Sequence, residues 1–332
     1  MNETILKEDI MVSVFCLTYN QEKYIRQCLD GILNQDCPFK YEVFVHDDAS
    51  TDGTADIVRE YAERYPNLII PIIQTENQYS KGVSALKDFV LPKIHGKYIA
   101  QCEGDDYWID SEKLKKQVNV LENNIDCQLC LHRVMGVSQD ENPNGIMYPN
   151  FLLNTGIFSG EQLLDYICTN EYVFQTTSYF ARSRFVKDYY KNLPIYKRVA
   201  ATGDTPFLLY FSLQGNVYYI DEVMSCYRHT DLKSNPRKAK YLNTEERIVA
   251  HYNKQIRMME EFDKYTERKY HRLCQRKIDG YHFDKAVRNK DYKELCHRKY
   301  DYFKKDWSVK EKIKTFLLAY FPWVLSFRRN NE

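Results

Sequence analysis

MVSVFCLTYNQ, residues 11–21, begins as a nearly continuous apolar run from Met11 to Leu17 and ends in polar side chains. A run of that composition reads as a β-strand buried on both faces, as in a parallel sheet. Thr18-Tyr19-Asn20 ends it, and Asn20 is placed to cap a helix. In that helix Ile25, Cys28, Leu29, Ile32 and Leu33 fall at i, i+3, i+4, i+7 and i+8 on one apolar face. The unit is strand, loop, helix.

The unit recurs. YEVFVH (41–46) is a strand, Asp47 to Gly53 a polar loop, and Thr54 to Tyr65 a helix facing inward with Ile57, Val58, Tyr61 and Tyr65. A third strand, Leu68 to Ile73, leads through ENQYSKG (76–82) into a short helix ending near Val90. A fourth, Tyr98 to Cys102, runs into Glu103-Gly104-Asp105-Asp106-Tyr107-Trp108, after which Ser111 is placed to cap a helix carrying Leu114, Val118 and Leu121. Alternation of this kind predicts an α/β fold with a mostly parallel sheet flanked by helices, whose ligands bind beyond the carboxyl ends of the strands. Thr18-Tyr19, Asp47-Asp48 and Asp105-Asp106 each follow a separate strand, so they can meet in one crevice. Adjacent carboxylates repel and resist burial, and oxygen-only ligands suit Mg²⁺ or Mn²⁺. No Gly-x-Gly-x-x-Gly and no P-loop follows the first strand, so a glycine cradle for phosphates is not expected.

Past residue 123 the alternation fades. Asp140 to Asn150 is rich in turn formers, Phe174 to Phe180 reads as a strand, and Val217 to Ile220 as another. Asp204 sits just ahead of an apolar helix from Phe207 to Leu213, where an N-cap is its plain structural reading. From Thr244 the pattern is helical: Ile248, Tyr252, Ile256, Met259 and Phe262 form one stripe, and a second helical pair turns at Asn289-Lys290-Asp291.

The net charge of +1 conceals an asymmetry. Residues 1–227 carry 20 Lys and Arg against 31 Asp and Glu, or −11, and residues 228–332 carry 27 against 15, or +12. The expected domains are therefore residues 1–230, which bind and react, and a basic helical region over 231–332. The last apolar stretch, Ile313 to Phe327, is shorter than a bilayer span and interrupted by Pro322. It suits the anionic face of a membrane, or a helix docked on the protein's own core or on a second subunit in a homo-oligomer. Nucleic acid is not an expected partner, because the basic residues are interspersed with acids and no recognition motif is present. Ten cysteines and a polar N-terminal stretch point to reduced thiols in the cytoplasm, with peripheral membrane contact on its inner face. Cys127, Cys130 and His132 interleave with leucines as in a buried strand rather than at zinc spacing.

Together VSVFCLTYNQ (12–21), VHDDASTDGT (45–54), ENQYSKG (76–82), CEGDDYW (102–108), TGD (202–204) and YRH (227–229) resemble glycosyltransferase family 2, the inverting nucleotide-sugar transferases of GT-A fold. The resemblance covers roughly the first 230 residues. It implies transfer of a sugar from a nucleoside-diphosphate donor, with uridine the family expectation, to a saccharide or lipid-linked saccharide in cell-surface polysaccharide or glycolipid synthesis. It further implies that Tyr19 stacks on the base beside Thr18 and that Asp48, with Asp47, hydrogen-bonds the base. Asp105 would contact ribose or sugar, Asp106 with Asp105 would hold Mg²⁺ or Mn²⁺, and Asp204 would be the general base. His229 resembles the family's late histidine near the diphosphate and joins the metal set. Glu103 stands where many members have Asp, and His229 follows Arg228 directly where Tyr-Arg-x-His is frequent, so the division of labour among Glu103, Asp105 and Asp106 stays open. Two other classes fit part of the pattern: a nucleotidyltransferase, and a non-catalytic adaptor that keeps the fold.

Overall fold

The computed structural model describes residues 10–170, 174–229 and 244–321, and the chain divides into two compact units. The first comprises residues up to Leu193 and Phe207–Ser234; the second comprises Pro194–Pro206 and the chain from Asn235.

The first unit is a ten-stranded sheet with helices packed on it. β1 (Ile10–Thr18) lies between β2 (Lys40–Asp47) and β4 (Tyr98–Glu103), with β3 (Ile69–Ile73) beyond β2, all parallel. β1 is central because both of its faces are covered. Val12, Val14 and Cys16 pack in one cluster with Ile25, Cys28, Leu29 and Ile32 of α1 (Ile25–Leu33), while Ser13 and Phe15 are buried too. The same cluster takes Ile57, Val58 and Tyr61 from α2 (Thr54–Arg64) and Leu114, Val118 and Leu121 from α3 (Lys113–Asn123). The helix faces read from the sequence spacing are the faces that pack.

Beyond β4 the direction changes. β9 (Phe180–Arg182) runs antiparallel between β4 and β6 (Cys127–Val137), and β6 is parallel to β10 (Asn216–Arg228). β5 (Tyr107–Trp108) and β8 (Gly156–Phe158) pair antiparallel with β10, and β7 (Pro143–Tyr148) with β6. Two antiparallel steps restore the original direction, so β10 ends on the same side of the sheet as β1, β2 and β4. Arg182, buried on β9, ties the halves together. Its Nη2 donates to Leu121 O (2.6 Å) near the end of α3, its Nε to Cys127 O (2.9 Å) at the start of β6, and its Nη1 to Tyr98 OH (3.2 Å). It thus satisfies a carbonyl in the last turn of α3, where intrahelical partners run out. Arg182→Met is expected to destabilise by about 3 kcal/mol, because buried carbonyls lose their donors; a urea titration of the unit's near-ultraviolet signal measures it.

Several local expectations are corrected. Asn20 does not cap α1: it takes positive φ (53°), and the N-cap, Tyr24, makes no side-chain bond. Ser111 likewise does not cap α3, whose N-cap is Glu112. Phe174 to Phe180 is not one strand. Ser178 N donates to Gln175 O and Tyr179 N to Thr176 O, so the hydroxyl-rich centre folds into a 3₁₀ turn and only Phe180–Arg182 joins the sheet. The helix expected before Val90 is a set of short turns, Tyr79–Lys81, Leu86–Val90 and Leu91–Lys93.

α4 (Gly160–Thr169) and α5 (Ser183–Lys191) complete the first unit's helices, and α7 (Asp204–Ser212) has its first turn in Pro194–Pro206. In the second unit α6 (Ile195–Val199) packs on α8 (Glu245–Tyr265), where fully buried Tyr196 meets Phe262 edge-on at 5.2 Å. Ile256, Met259 and Phe262 of the expected stripe are buried, with Ile248 and Tyr252 half-buried. α9 (His271–Arg288) turns through Lys290, at positive φ, into α10 (Tyr292–Leu295), and α11 (Val309–Tyr320) follows. No described helix is long and apolar enough to cross a membrane. The part of the apolar stretch beyond Phe321 lies outside the described residues.

Candidate active site

The carboxyl ends of β1, β2 and β4 are level. Thr18 is in register with Asp47 and Leu17 with Glu103, Asp48 N donates to Thr18 O (3.0 Å), and Gly104 N donates to Leu17 O (3.0 Å). Thr18, Tyr19, Asp47, Asp48, Asp105 and Asp106 therefore stand at one edge of the sheet. Gly104 is demanded by close approach: a Cβ there would lie 2.8 Å from Thr18 Oγ1 and 2.5 Å from Gln21 Oε1.

The first two loops are cross-linked. Asn20 N donates to Ser50 Oγ (2.9 Å), Thr51 N to Asn20 Oδ1 (2.8 Å) and Gln21 N to Thr54 Oγ1 (2.8 Å). Both loops pass through left-handed backbone, at Asn20 and at Ala49 (φ 60°). The motif residues thus hold each other in place. Asp47, fully buried, accepts from Ser50 N (3.0 Å) and Ser50 Oγ, closing its own turn. Asp48 accepts from Gln78 N (2.7 Å) and Tyr79 N (3.2 Å), which anchors the loop after β3.

Asp106 is the exceptional group. It is 1% exposed, its Oδ1 accepts from Arg228 N (3.0 Å), and its Oδ2 is buried with no hydrogen-bond partner. Burial, together with the charges of Asp105 and Glu103, pushes its pKa well above the ordinary carboxylate range. Tyr227 is pushed up as well, first by burial and then by the charges of Asp106, Glu103 and Asp105, so its phenol shares this acidic corner. Glu103 accepts from Thr176 Oγ1 at 3.4 Å. Behind the motif, Lys113 Nζ lies 4.1 Å from the Trp108 ring centroid and donates to Gln117 Oε1 (2.7 Å), and burial lowers its pKa to about 7.

Arg228, at the end of β10, is the residue that spacing alone did not single out. Buried to 1% exposure, it donates from Nε to Asp105 O (2.9 Å), from Nη1 to Gln139 O (2.9 Å) and from Nη2 to Gln27 Oε1. Its guanidinium lies 4.6 Å from the Tyr24 ring and 5.2 Å from the Tyr107 ring. His229 follows, with Nε2 3.1 Å from Tyr148 OH and its ring stacked on Tyr148. Among the described residues no group of three or more His, Cys, Asp or Glu side chains could by itself hold a metal ion.

Asp204 belongs to the second unit's Pro194–Pro206 segment, in the first turn of α7. Its residue is solvent-exposed, yet neighbouring protein desolvates the carboxyl enough to raise its pKa, and the Lys197 ammonium opposes that rise.

Comparison with known proteins agrees with this arrangement. The family model described as Glycosyl transferase family 2 matches residues 13–190, more than half the chain. The chain belongs to glycosyltransferase family 2. An uncharacterised protein of Mycobacterium tuberculosis is 46% identical over 129 residues, 39% of this chain and 36% of that protein. The Escherichia coli UDP-Glc:α-D-GlcNAc-diphosphoundecaprenol β-1,3-glucosyltransferase WfgD is 29% identical over 172 residues, 50% of this chain and 65% of that enzyme. The match therefore spans about a third of the first relative and less than two thirds of the second. Among solved structures, Staphylococcus aureus TarS 1–349 with UDP-GlcNAc superposes with a TM-score of 0.62 at 20% identity, over 93% of this chain and 81% of that one. The fold of this family-2 member is thus GT-A, as the resemblance carried by the motif order implies.

Proposed function

We propose that this family-2 enzyme moves a sugar from a nucleoside-diphosphate donor, a UDP-sugar, to a hydroxyl of a saccharide or lipid-linked saccharide, inverting the anomeric carbon in polysaccharide or glycolipid synthesis. The observation that carries the reading is the buried Asp106 carboxylate, with one oxygen unpartnered beside Asp105 and Glu103 at the carboxyl edge of the sheet. The names of WfgD and TarS, which mention UDP-glucose and UDP-GlcNAc, support uridine.

The acidic corner fits Mg²⁺ or Mn²⁺: its donors are oxygens, one buried Asp106 oxygen lacks a hydrogen-bond partner, and such ions take one or two carboxylates and complete their shell from substrate phosphates. Asp106 and Asp105 would hold the ion, with His229 of the late motif as a further candidate ligand. When bound, it supplies Lewis-acid stabilisation of the leaving diphosphate. Tyr19 and Thr18 receive the base, Asp48 reads its edge, and Asp47 keeps that loop closed. Asp105 orients the ribose or sugar. As the acceptor oxygen bonds to the anomeric carbon and the bond to the diphosphate oxygen breaks, the Asp204 carboxylate takes the acceptor proton. No covalent enzyme intermediate is needed.

The test is release of UDP from UDP-glucose and UDP-GlcNAc with acceptor and Mn²⁺. Turnover with neither donor, and no thermal shift from any nucleotide sugar, would overturn the reading. The base assignment has its own signature. Because desolvation by neighbouring protein raises the Asp204 pKa, the acid limb of kcat/KM should lie above the ordinary carboxylate range, the rate growing as pH rises through it. Lys197→Met removes the charge that holds this pKa down, so the limb should move to higher pH, while Asp204→Asn should lose turnover at every pH. A limb that stays fixed in Lys197→Met would count against Asp204 as base.

A further inference from the structure

α11 has one side turned to the protein and another that is largely exposed to water. Thr315, Leu318 and Ala319 are half-buried, whereas Val309, Ile313, Phe316 and Tyr320 are 74%, 55%, 50% and 49% exposed. Spacings of four, three and four place these last residues within about 60° of arc on a helix turning about 100° per residue. On the same projection Lys310 and Lys314 lie to one side of the stripe and Lys312 to the other, and all three are exposed. The helix is well set at its start. Ser308 Oγ accepts from Glu311 N (3.2 Å) and Glu311 Oε2 accepts from Ser308 N (2.7 Å), a reciprocal capping box. A capped helix therefore presents two aromatic and two β-branched side chains outward, with two lysines to one side and one to the other.

We propose that α11 is an in-plane docking helix for an anionic lipid bilayer, its apolar stripe entering the acyl boundary while the flanking lysines reach acidic headgroups. Charge complementarity selects this occupant. The cations border the stripe on both sides, residues 228–332 carry +12, and the sequence after Phe321 adds Trp323, Leu325 and Phe327 ahead of Arg328-Arg329. A second copy fits less well: face-to-face pairing would bring six lysines together, and four half-exposed side chains fall short of the ~800 Å² per partner of a stable interface. The inference is independent of the transferase chemistry.

Co-sedimentation of the full chain with vesicles of equal parts phosphatidylcholine and phosphatidylglycerol tests it, with pure phosphatidylcholine for comparison. Binding is expected on the anionic vesicles and should weaken as salt rises from about 0.1 M to about 0.5 M. The pair Ile313→Asp and Phe316→Asp should lower partitioning at least about tenfold, and Lys310→Glu with Lys314→Glu by about fivefold per lysine, with unchanged melting temperature because these positions are exposed. Binding that survives Ile313→Asp/Phe316→Asp overturns the proposal, including the case in which it disappears only on removal of residues 322–332. It is equally overturned if light scattering finds a dimer that this pair dissolves while vesicles capture nothing.

Discussion

Asp106→Asn is expected to raise the melting temperature of the metal-free enzyme while reducing transfer by a factor of about 10³. Two facts about the side chain require opposite effects. The Oδ1 that accepts from Arg228 N is kept in asparagine, so the link between β10 and the acidic motif survives. The charge, which burial and the neighbouring carboxylates disfavour, is removed. The sign with pH follows. Below the ordinary carboxyl pKa of about 3.9 the group is protonated in both folded and unfolded chains and costs nothing. As pH rises the unfolded chain ionises first, and the folded chain loses relative stability until its own raised pKa is passed. The advantage of Asp106→Asn should therefore be small near pH 4.5 and grow toward pH 7.5, where about 1–2 kcal/mol corresponds to a rise of about 2–6 °C. Differential scanning fluorimetry in chelator measures it. Mn²⁺ at about a hundred times its Kd should stabilise the wild-type protein by about 2.7 kcal/mol and the variant far less. A variant that melts lower than wild type in chelator at pH 7.5 would mean that Asp106 is held by structure rather than kept in a strained, function-ready state.

What the sequence could and could not disclose divides along physical lines. The strands and helices of the first half are legible because their signal is burial: Val12, Val14 and Cys16 alternate, Ile25, Cys28, Leu29 and Ile32 repeat at helical spacing, and the two sets pack together. Their order alone places Thr18, Asp47 and Glu103 at one edge. Polar side chains carry no such periodicity. Asn20 looks like a cap from its position before a helix, but its amide oxygen is taken by Thr51 N, 31 residues away. Phe174 to Phe180 reads as strand because threonine and aromatic residues favour strands, yet the Ser178 hydroxyl bonds Gln175 O and the backbone turns. Asp47 and Asp48 are adjacent, and only the structure separates one that closes its own loop from one that anchors the next. Asp204 reads from its position as a helix-start residue and from the family resemblance as a base, and the desolvation that raises its pKa could not be seen without its surroundings.

Arg228 shows the same limit most sharply, and its replacement should be the most damaging to the fold of the site. Its partners lie on α1, after β4 and in the turn between β6 and β7, up to 201 residues away in sequence. Arg228→Met keeps the backbone N–H to Asp106 but leaves Asp105 O, Gln139 O and Gln27 Oε1 without their donor and empties the space between Tyr24 and Tyr107. Removing a buried cation with this many partners is expected to cost about 3–5 kcal/mol, lowering the melting temperature by about 10 °C. Arg228→Lys separates charge from shape. A lysine ammonium restores the positive charge, but it cannot reach three acceptors lying in different directions or stack as a plane between two rings. It should recover less than half of the stability. Its effect on catalysis should fall mainly on kcat, because the loop bearing Asp105 is loosened while Tyr19 and Asp48 are untouched. If Arg228→Lys matched wild type in both melting temperature and kcat, net positive charge beside the acidic motif would be the sole requirement. The guanidinium geometry that joins three segments at Asp105 would then be incidental.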